Sequence, residues 1–330
     1  MVFTRRGNDA LLWYIDRAHP ILALLLVILL ITAVIRPAVA QSMDDAGTNA
    51  PHTVYLVGTD NEPFNQYFLK LLEQRLGTRF EVRPYDEDQT SDSPAQPVVT
   101  LDANALDRVL DHSSSAPVLA LMLTRRQFER RAQTTDRPLT AIFGNPPLIR
   151  QALLGREILP QSSRVAVLAQ SGRAGQYEGL LERLRHYDME AEVFTVSGPD
   201  RLVATLNRAL QYGDFLLGTT DPAIYNRQTI KPILLTTYRN SRILIGPEKA
   251  FVRAGALAST YTSMKTYARI AATRLREWGA QGGMGDSDYP DDFLIRYNRQ
   301  VARSLNIPLP EKADVIKALR QTQTTAVDDE

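Results

Sequence analysis

The chain has 330 residues, 44% of them hydrophobic and 23% charged, and its 38 basic and 37 acidic side chains leave a net charge of +1. That composition builds a sizeable globular core, in one large domain or two of usual size, and excludes a low-complexity chain. The near-zero charge gives no field for nucleic acid or an anionic membrane surface, and the lack of any cysteine removes disulfides, thiolate metal sites and a lipid-bearing N-terminal Cys.

Residues 21–35, ILALLLVILLITAVI, form an unbroken apolar run of fifteen residues. The run follows Arg5, Arg6 and Arg17 and precedes the small-x-small triplet Ala38-Val39-Ala40. These are the parts of a secretory signal spanning residues 1–40, with cleavage expected before Gln41 and the rest of the chain exported to the periplasm. The run is shorter than the about twenty residues that span a bilayer, while the long segment ahead of it keeps an uncleaved inner-membrane anchor as a second reading. After residue 40 the chain holds 34 basic and 35 acidic side chains, so the exported part is again close to neutral.

Residues 41–52 are small and polar and read as a flexible leader. Strand-like and helix-like runs then alternate. TVYLVG at 53–58 precedes a helical pattern over 64–76 that puts Phe64, Phe68, Leu71, Leu72 and Leu76 on one face. Residues 98–101 lead into a helix at 104–111, and VLALML at 118–123 into one at 125–132. TAIF at 140–143 leads into a helix opening near Pro146-Pro147, since proline suits a first helical turn. Strands at 164–168, 192–196 and 215–218 precede helices at 177–187, 200–211 and 224–239. The small-residue run Ala254-Gly255-Ala256-Leu257-Ala258 reads as a short strand where backbones crowd together. A helix from Met264 then buries Tyr267, Ala268, Ala271, Leu275 and Trp278. Between the two, Ser259, Thr260 and Tyr261 are expected in a loop that borders a cleft and caps that helix.

The strands are apolar nearly throughout, as parallel strands covered on both faces are. The expected class is therefore α/β, with two parallel-sheet Rossmann-like lobes joined by a hinge. Lobe 1 is placed at 53–150, lobe 2 at 151–245, the hinge crossing and a return segment at 246–320, and a disordered tail at 321–330. Polar loops without periodicity interrupt the pattern at 85–97 and 281–292.

Open parallel sheets bind ligands beyond the carboxyl ends of their strands. The loops at those ends are rich in hydroxyls, amides and glycine, which recognise without reacting. The candidate ligand-binding residues are Thr59, Asp60 and Asn61 after the first strand, Asn145 after the fourth, Ser171 and Arg173 after the fifth, and Thr220 and Asp221 after the seventh. Arg173 is suited to a ligand carboxylate, and Tyr177 or Phe64 to a flat apolar wall. Each has a plainer reading: Asp60 and Asp221 as helix N-caps, Thr219-Thr220-Asp221-Pro222 as a turn, Tyr177 and Phe64 as helix core. Signs of catalysis are weak. His52, His112 and His186 share no spacing for a metal or a triad, and G-x-S-x-G, P-loop and G-x-G-x-x-G motifs do not occur. The acids Asp286, Asp288, Asp291 and Asp292 lack the spacing of a calcium loop. Neither an enzyme, nor a cofactor, nor a metal is expected.

Four segments carry a resemblance: PLTAIFGNPPLIRQALLGREILPQSSRVAVL (138–168), DFLLGTTDPAIYNRQTIKPILLTTYRNSRILIG (214–246), FVRAGALASTYTSMKTYARIAATRL (251–275) and YNRQVARSLNIPLP (297–310). In this order and spacing they resemble the uncharacterised ABC-transporter substrate-binding family, which includes the tryptophan- and tyrosine-type periplasmic binding proteins of the type 1 fold, over residues 98–319. The resemblance implies two hinged lobes closing on a small organic solute, an amino acid among the candidates, and an ABC permease as partner. A monomer is expected, with no nucleic acid. A sensory or adaptor protein of the same fold, addressing a membrane kinase or receptor, is the alternative. The loops GTDNEPFNQY (58–67) and Gly246-Pro247-Glu248-Lys249 depart from the family pattern, so no ligand identity carries over.

Overall fold

The structure, a computed structural model, describes residues 51–85, 96–112 and 115–325. The segment read as signal or anchor, most of the leader and the last five residues lie outside the described residues.

Strands β1 (His52–Val57), β2 (Phe80–Pro84), β3 (Val98–Thr100), β4 (Val118–Leu121) and β5 (Leu139–Ile142) form a five-stranded sheet in the order β2-β1-β3-β4-β5. Every pairing in it is parallel. Its crossovers carry α1 (Glu62–Leu76), α2 (Ala103–Leu110) and α3 (Arg125–Ala132). The second sheet has six strands, β6 (Arg164–Gln170), β7 (Glu190–Val196), β8 (Phe215–Leu217), β9 (Leu244–Ile245), β10 (Ala258–Tyr261) and β11 (Leu294–Tyr297), ordered β11-β10-β9-β8-β6-β7. It too is parallel except for the edge pair β10–β11. Around it stand α4 (Leu148–Ile158), α5 (Glu178–Arg185), α6 (Leu202–Tyr212), α7 (Ile230–Arg239), α8 (Lys249–Ala254), α10 (Arg299–Ser304) and α11 (Lys312–Thr325). The central strands β3, β4 and β8 are buried at every residue, which is why their sequences are apolar without alternation.

The helix α9 (Met264–Gln281) returns to the first sheet, where Tyr267, Ala268, Ala271, Ala272 and Leu275 pack with Phe68, Leu72 and Leu76 of α1. In the second lobe Val315 and Leu319 of α11 join the core formed by Ile149, Leu153 and Leu154 of α4. The chain passes between the sheets at residues 143–147, 262–263 and 282–293. At the first passage a Cβ on Gly144 would lie 2.5 Å from the Met122 carbonyl oxygen, so only glycine lets the segment run this close to the end of β4.

Several sequence expectations are revised. The small-residue run at 254–258 is a strand only at its last residue: Ala254 ends α8, and Gly255 at φ +130° opens the turn that leads into β10 at Ala258. Ser259, Thr260 and Tyr261 are the strand itself, and the residue that caps α9 is Ser263, accepting from the Thr266 N–H at 3.1 Å. Helix α7 begins at Ile230 rather than 224, because residues 221–229 form turns braced by Asn226 and Thr229. Strand β2 was not anticipated, and the segment 297–310 holds the end of β11 and the short helix α10. Helix α11 runs to Thr325, so the first five residues of the expected disordered tail are helical. The polar loop at 281–292 lies along the edge of the first sheet, where Asp288 bridges to Ile142 and the Ser287 hydroxyl accepts from the Ala141 N–H at 2.8 Å.

Ser259 and Thr260 are fully buried in a central region of the second sheet, and their polarity is answered by Gln151 of α4. Its carboxamide donates to the Gly246 carbonyl (2.9 Å) and the Ser259 hydroxyl (2.9 Å), and accepts from the Thr260 N–H (2.9 Å) and Thr260 hydroxyl (3.1 Å). Truncation would strand these groups in a dry site. The Gln151→Ala variant is expected to lose about 3 kcal/mol of stability, read from the midpoint of denaturant unfolding at an unchanged slope.

Candidate functional site

The carboxyl ends of both sheets carry the loops where ligands of this architecture bind. In the second lobe, β8 runs out through Gly218 into Asp221, whose side chain is only 3% exposed. One carboxylate oxygen accepts from the Ala223 N–H at 3.1 Å and lies 3.5 Å from an Arg173 guanidinium nitrogen; the other is buried with no partner. Arg173 follows β6 and is itself 37% exposed at the side chain. Next to this pair Tyr177 is hydrogen-bonded to Thr219, and burial, with Asp221 adding to it, pushes its hydroxyl upward. Tyr225 is fully enclosed; burial, then Tyr177 and Asp221, pushes its hydroxyl upward as well, and that hydroxyl has no partner. Both phenols therefore stay neutral and remain donors beside an open carboxylate oxygen.

The facing lobe presents the start of α3. A reciprocal Thr124–Gln127 capping box fixes this turn, the Thr124 hydroxyl accepting from the Gln127 N–H (3.2 Å) and the Gln127 side-chain Oε1 accepting from the Thr124 N–H (2.8 Å). From it Arg126 donates to the Gln176 side chain at 3.1 Å, a direct contact between the lobes one residue from Tyr177. Arg125 stacks 5.0 Å from the Phe143 ring and 5.4 Å from the Tyr289 ring. On the first passage between lobes, the Asn145 side-chain oxygen is buried without a partner.

The sequence-derived residues divide accordingly. Asp221, Arg173 and Tyr177 come together, and Asn145 stands apart on the first passage between the sheets. Thr59 and Asn61 are occupied by local structure: Asn61 caps α1 by accepting from the Phe64 N–H (3.1 Å), and Asn65 engages the Thr59 N–H (2.9 Å), hydroxyl (3.1 Å) and carbonyl (2.8 Å). Asp60, offered as an alternative cap, is exposed and does not cap the helix. Asp221 likewise closes a turn rather than capping α7. Ser171 and Thr220 are exposed at the loop rims, and Phe64 packs on the core face of α1. Sequence reasoning missed Thr219, Tyr225, Gln176 and Arg126 as site residues; nothing in their local spacing distinguishes them from turn, core and surface positions.

Beside the passages lies a recess of about 540 Å³ reached by Tyr67 and Pro146 from one side and by Glu248, Lys249, Arg253 and Tyr261 from the other. The Lys249 ammonium sits 4.7 Å above the Tyr261 ring. Glu248 keeps contact with solvent at the mouth, yet its surroundings withdraw enough water to push its carboxyl upward. Two buried side chains secure the passages themselves. The Tyr267 hydroxyl donates to the Phe143 (2.9 Å) and Gly144 (3.2 Å) carbonyls and is pushed up to about 12 by burial. Arg150, pushed down to about 10 by burial, lies 4.4 Å over the Phe293 ring and donates to the Pro290 carbonyl at 3.1 Å.

No protein-family model matches the sequence, and no curated protein is similar to it. Solved structures are. A ligand-free, open substrate-binding protein with adhesive properties from Clostridium difficile superposes with a TM-score of 0.63 at 13% identity, covering 79% of this chain and 96% of that one. An ABC domain from Streptococcus pneumonia in complex with L-Trp gives 0.53 at 15% identity, covering 81% and 98%. A conserved domain protein from Vibrio cholerae gives 0.50 at 15% identity, covering 80% and 97%. The chain has the type 1 periplasmic-binding fold. Among the described residues no three His, Asp or Glu side chains could share a metal ion, and no helix is long and apolar enough to cross a membrane.

The raised carboxyl of Glu248 sets a pH dependence. The folded chain holds this proton more tightly than the unfolded chain, so the group's contribution is complete below the ordinary glutamate range and is lost as pH rises through the raised value. Glu248→Gln is therefore expected to raise the melting temperature relative to the parent at about pH 7, and to leave it unchanged near pH 3.5.

Proposed function

We propose that the chain is a periplasmic solute-binding protein that captures a small organic solute in the interlobe cleft and delivers it to an ABC importer. The observation that carries this reading is the Asp221 carboxylate: buried, with one oxygen unpartnered, beside the hydroxyls of Tyr177, Thr219 and Tyr225. A buried charge left half-satisfied is costly unless a ligand completes it. A solute carrying an ammonium or hydroxyl donor would supply the missing hydrogen bond, while Arg173, partly exposed at the mouth, would hold an acceptor such as a carboxylate. An amino acid has both groups. The Arg126–Gln176 contact would cover the solute from the opposite lobe, excluding water where the charge-assisted bonds form. These groups offer hydrogen bonds and charge without a nucleophile–base pair, which supports binding over catalysis.

A thermal-shift screen of the exported chain against small metabolites, with mass spectrometry of any copurified solute, tests the proposal. At least one amino acid or related polar solute is expected to stabilise the protein. Asp221→Asn keeps the turn-closing oxygen but removes the charge, and should weaken that solute by about thirtyfold in calorimetry. A complete absence of stabilising or copurifying solutes overturns the reading.

A further inference from the structure

A second recess, of about 480 Å³, lies on the second lobe away from the Asp221 loop, and its charged lining is entirely cationic: Arg253, Arg296, Arg299 and Lys312, with Tyr297 and Asn298 between them. The four cations come from four elements. Arg253 is near the end of α8, Arg296 points to solvent between the buried Ile295 and Tyr297 of β11, and Arg299 and Lys312 open α10 and α11. The backbone alternation of β11 and the start of two helices therefore converge on one cavity.

The recess is held in shape without using these charges. Asn298 donates to the Val252 carbonyl (3.1 Å) and accepts from the Val301 N–H (3.1 Å), so its amide ties α8 to the start of α10. The Lys312 ammonium lies 5.7 Å over the Tyr297 ring. Glu157 and Glu311 act on the Tyr297 hydroxyl, but neither lines the recess. Elsewhere on the surface arginines do find acids, as Arg269 and Arg320 both do at Asp292 (2.6 and 2.8 Å). Among the described residues, no carboxylate stands within ion-pair distance of any of the four cations here.

We propose that this recess is a second ligand site, for a multiply charged anion of the phosphate or polycarboxylate type. Four like charges around one cavity repel one another, and a chain of net charge +1 has no general excess that would place them there by composition alone. An anion with two or more charges relieves that repulsion. Three of the four cations are guanidiniums, whose planar forks match the paired oxygens of phosphate and carboxylate. The volume lies within the range of small-molecule sites, and the polar lining suits a hydrated anion rather than an apolar solute. All walls belong to elements around the second sheet, so the site does not need the cleft to close. Such an anion is either a free small molecule or the headgroup of an acidic lipid.

The test titrates the exported chain with pyrophosphate and with citrate at about 50 and 150 mM salt, and measures its sedimentation with phosphatidylglycerol vesicles against phosphatidylcholine vesicles. Saturable binding of at least one small anion is expected, weaker at the higher salt, reduced at least tenfold in Arg296→Glu/Arg299→Glu and unchanged in Asp221→Asn. Retention on the acidic vesicles alone, lost in the double variant, assigns the same chemistry to a lipid headgroup. Lys312→Glu is a separate check in case the double variant misfolds, and should also weaken binding about tenfold. Failure of both small anions and acidic vesicles to bind, or binding that neither variant changes, overturns the proposal.

Discussion

Where the chain leaves one sheet for the other, backbone pairing satisfies only part of its peptide groups, and a buried peptide group left unpaired costs about 1–3 kcal/mol. The arrangement of the two lobes depends on how these groups are satisfied. Tyr267 holds the carbonyls of Phe143 and Gly144 on the first passage, and Arg150 holds that of Pro290 on the last. Gln151 ties the end of β9 to β10, from which the middle passage departs. The three side chains lie on two helices, one on each sheet: α9 serves the first lobe, and α4 carries Arg150 and Gln151 in succession. The passages are thus fixed by polar side chains on rigid elements.

The alternation of strands and helices was legible because it is local. A run such as VLAL is apolar on both faces whether or not its partners are known, and α1 and α9 show their buried faces by spacing alone. The stretch ASTY was not legible for the opposite reason. Two of its side chains are polar, which in isolation points to a loop, and the carboxamide that makes them tolerable in a strand lies 108 and 109 residues away on α4. Register at sheet edges was equally hidden: β2 is short, with an exposed and charged surface, and it is a strand only because β1 offers it a ladder.

The candidate site shows the same division. Asp221 and Arg173 were readable as strand-end residues of suitable chemistry, whereas the burial that gives Asp221 its interest comes from Tyr177, Thr219 and Tyr225 packing around it. Thr59 and Asn61 were equally suitable by type, but Asn65 and the first turn of α1 take up their polar atoms. Residue type therefore names groups able to bind, and only the count of unused donors and acceptors separates those still free to do so. By that count Asp221 keeps an unused oxygen where Thr59 and Asn61 do not.

Net charge was a poor guide to local field. The cations of the second recess are spread from residue 253 to residue 312, Arg296 and Arg299 in a segment without an acid, and Arg253 and Lys312 in segments of mixed charge; the antiparallel edge strand and the two helix starts bring them together. An anion seated there could alter closure of the cleft only by contacting the open and closed lobes differently, since equal contact in both states shifts nothing. Arg253 is the side chain that lines both this recess and the one beside the passages, where Tyr67 and Pro146 of the first lobe also stand. Arg253 is therefore the lining residue through which the two recesses touch directly.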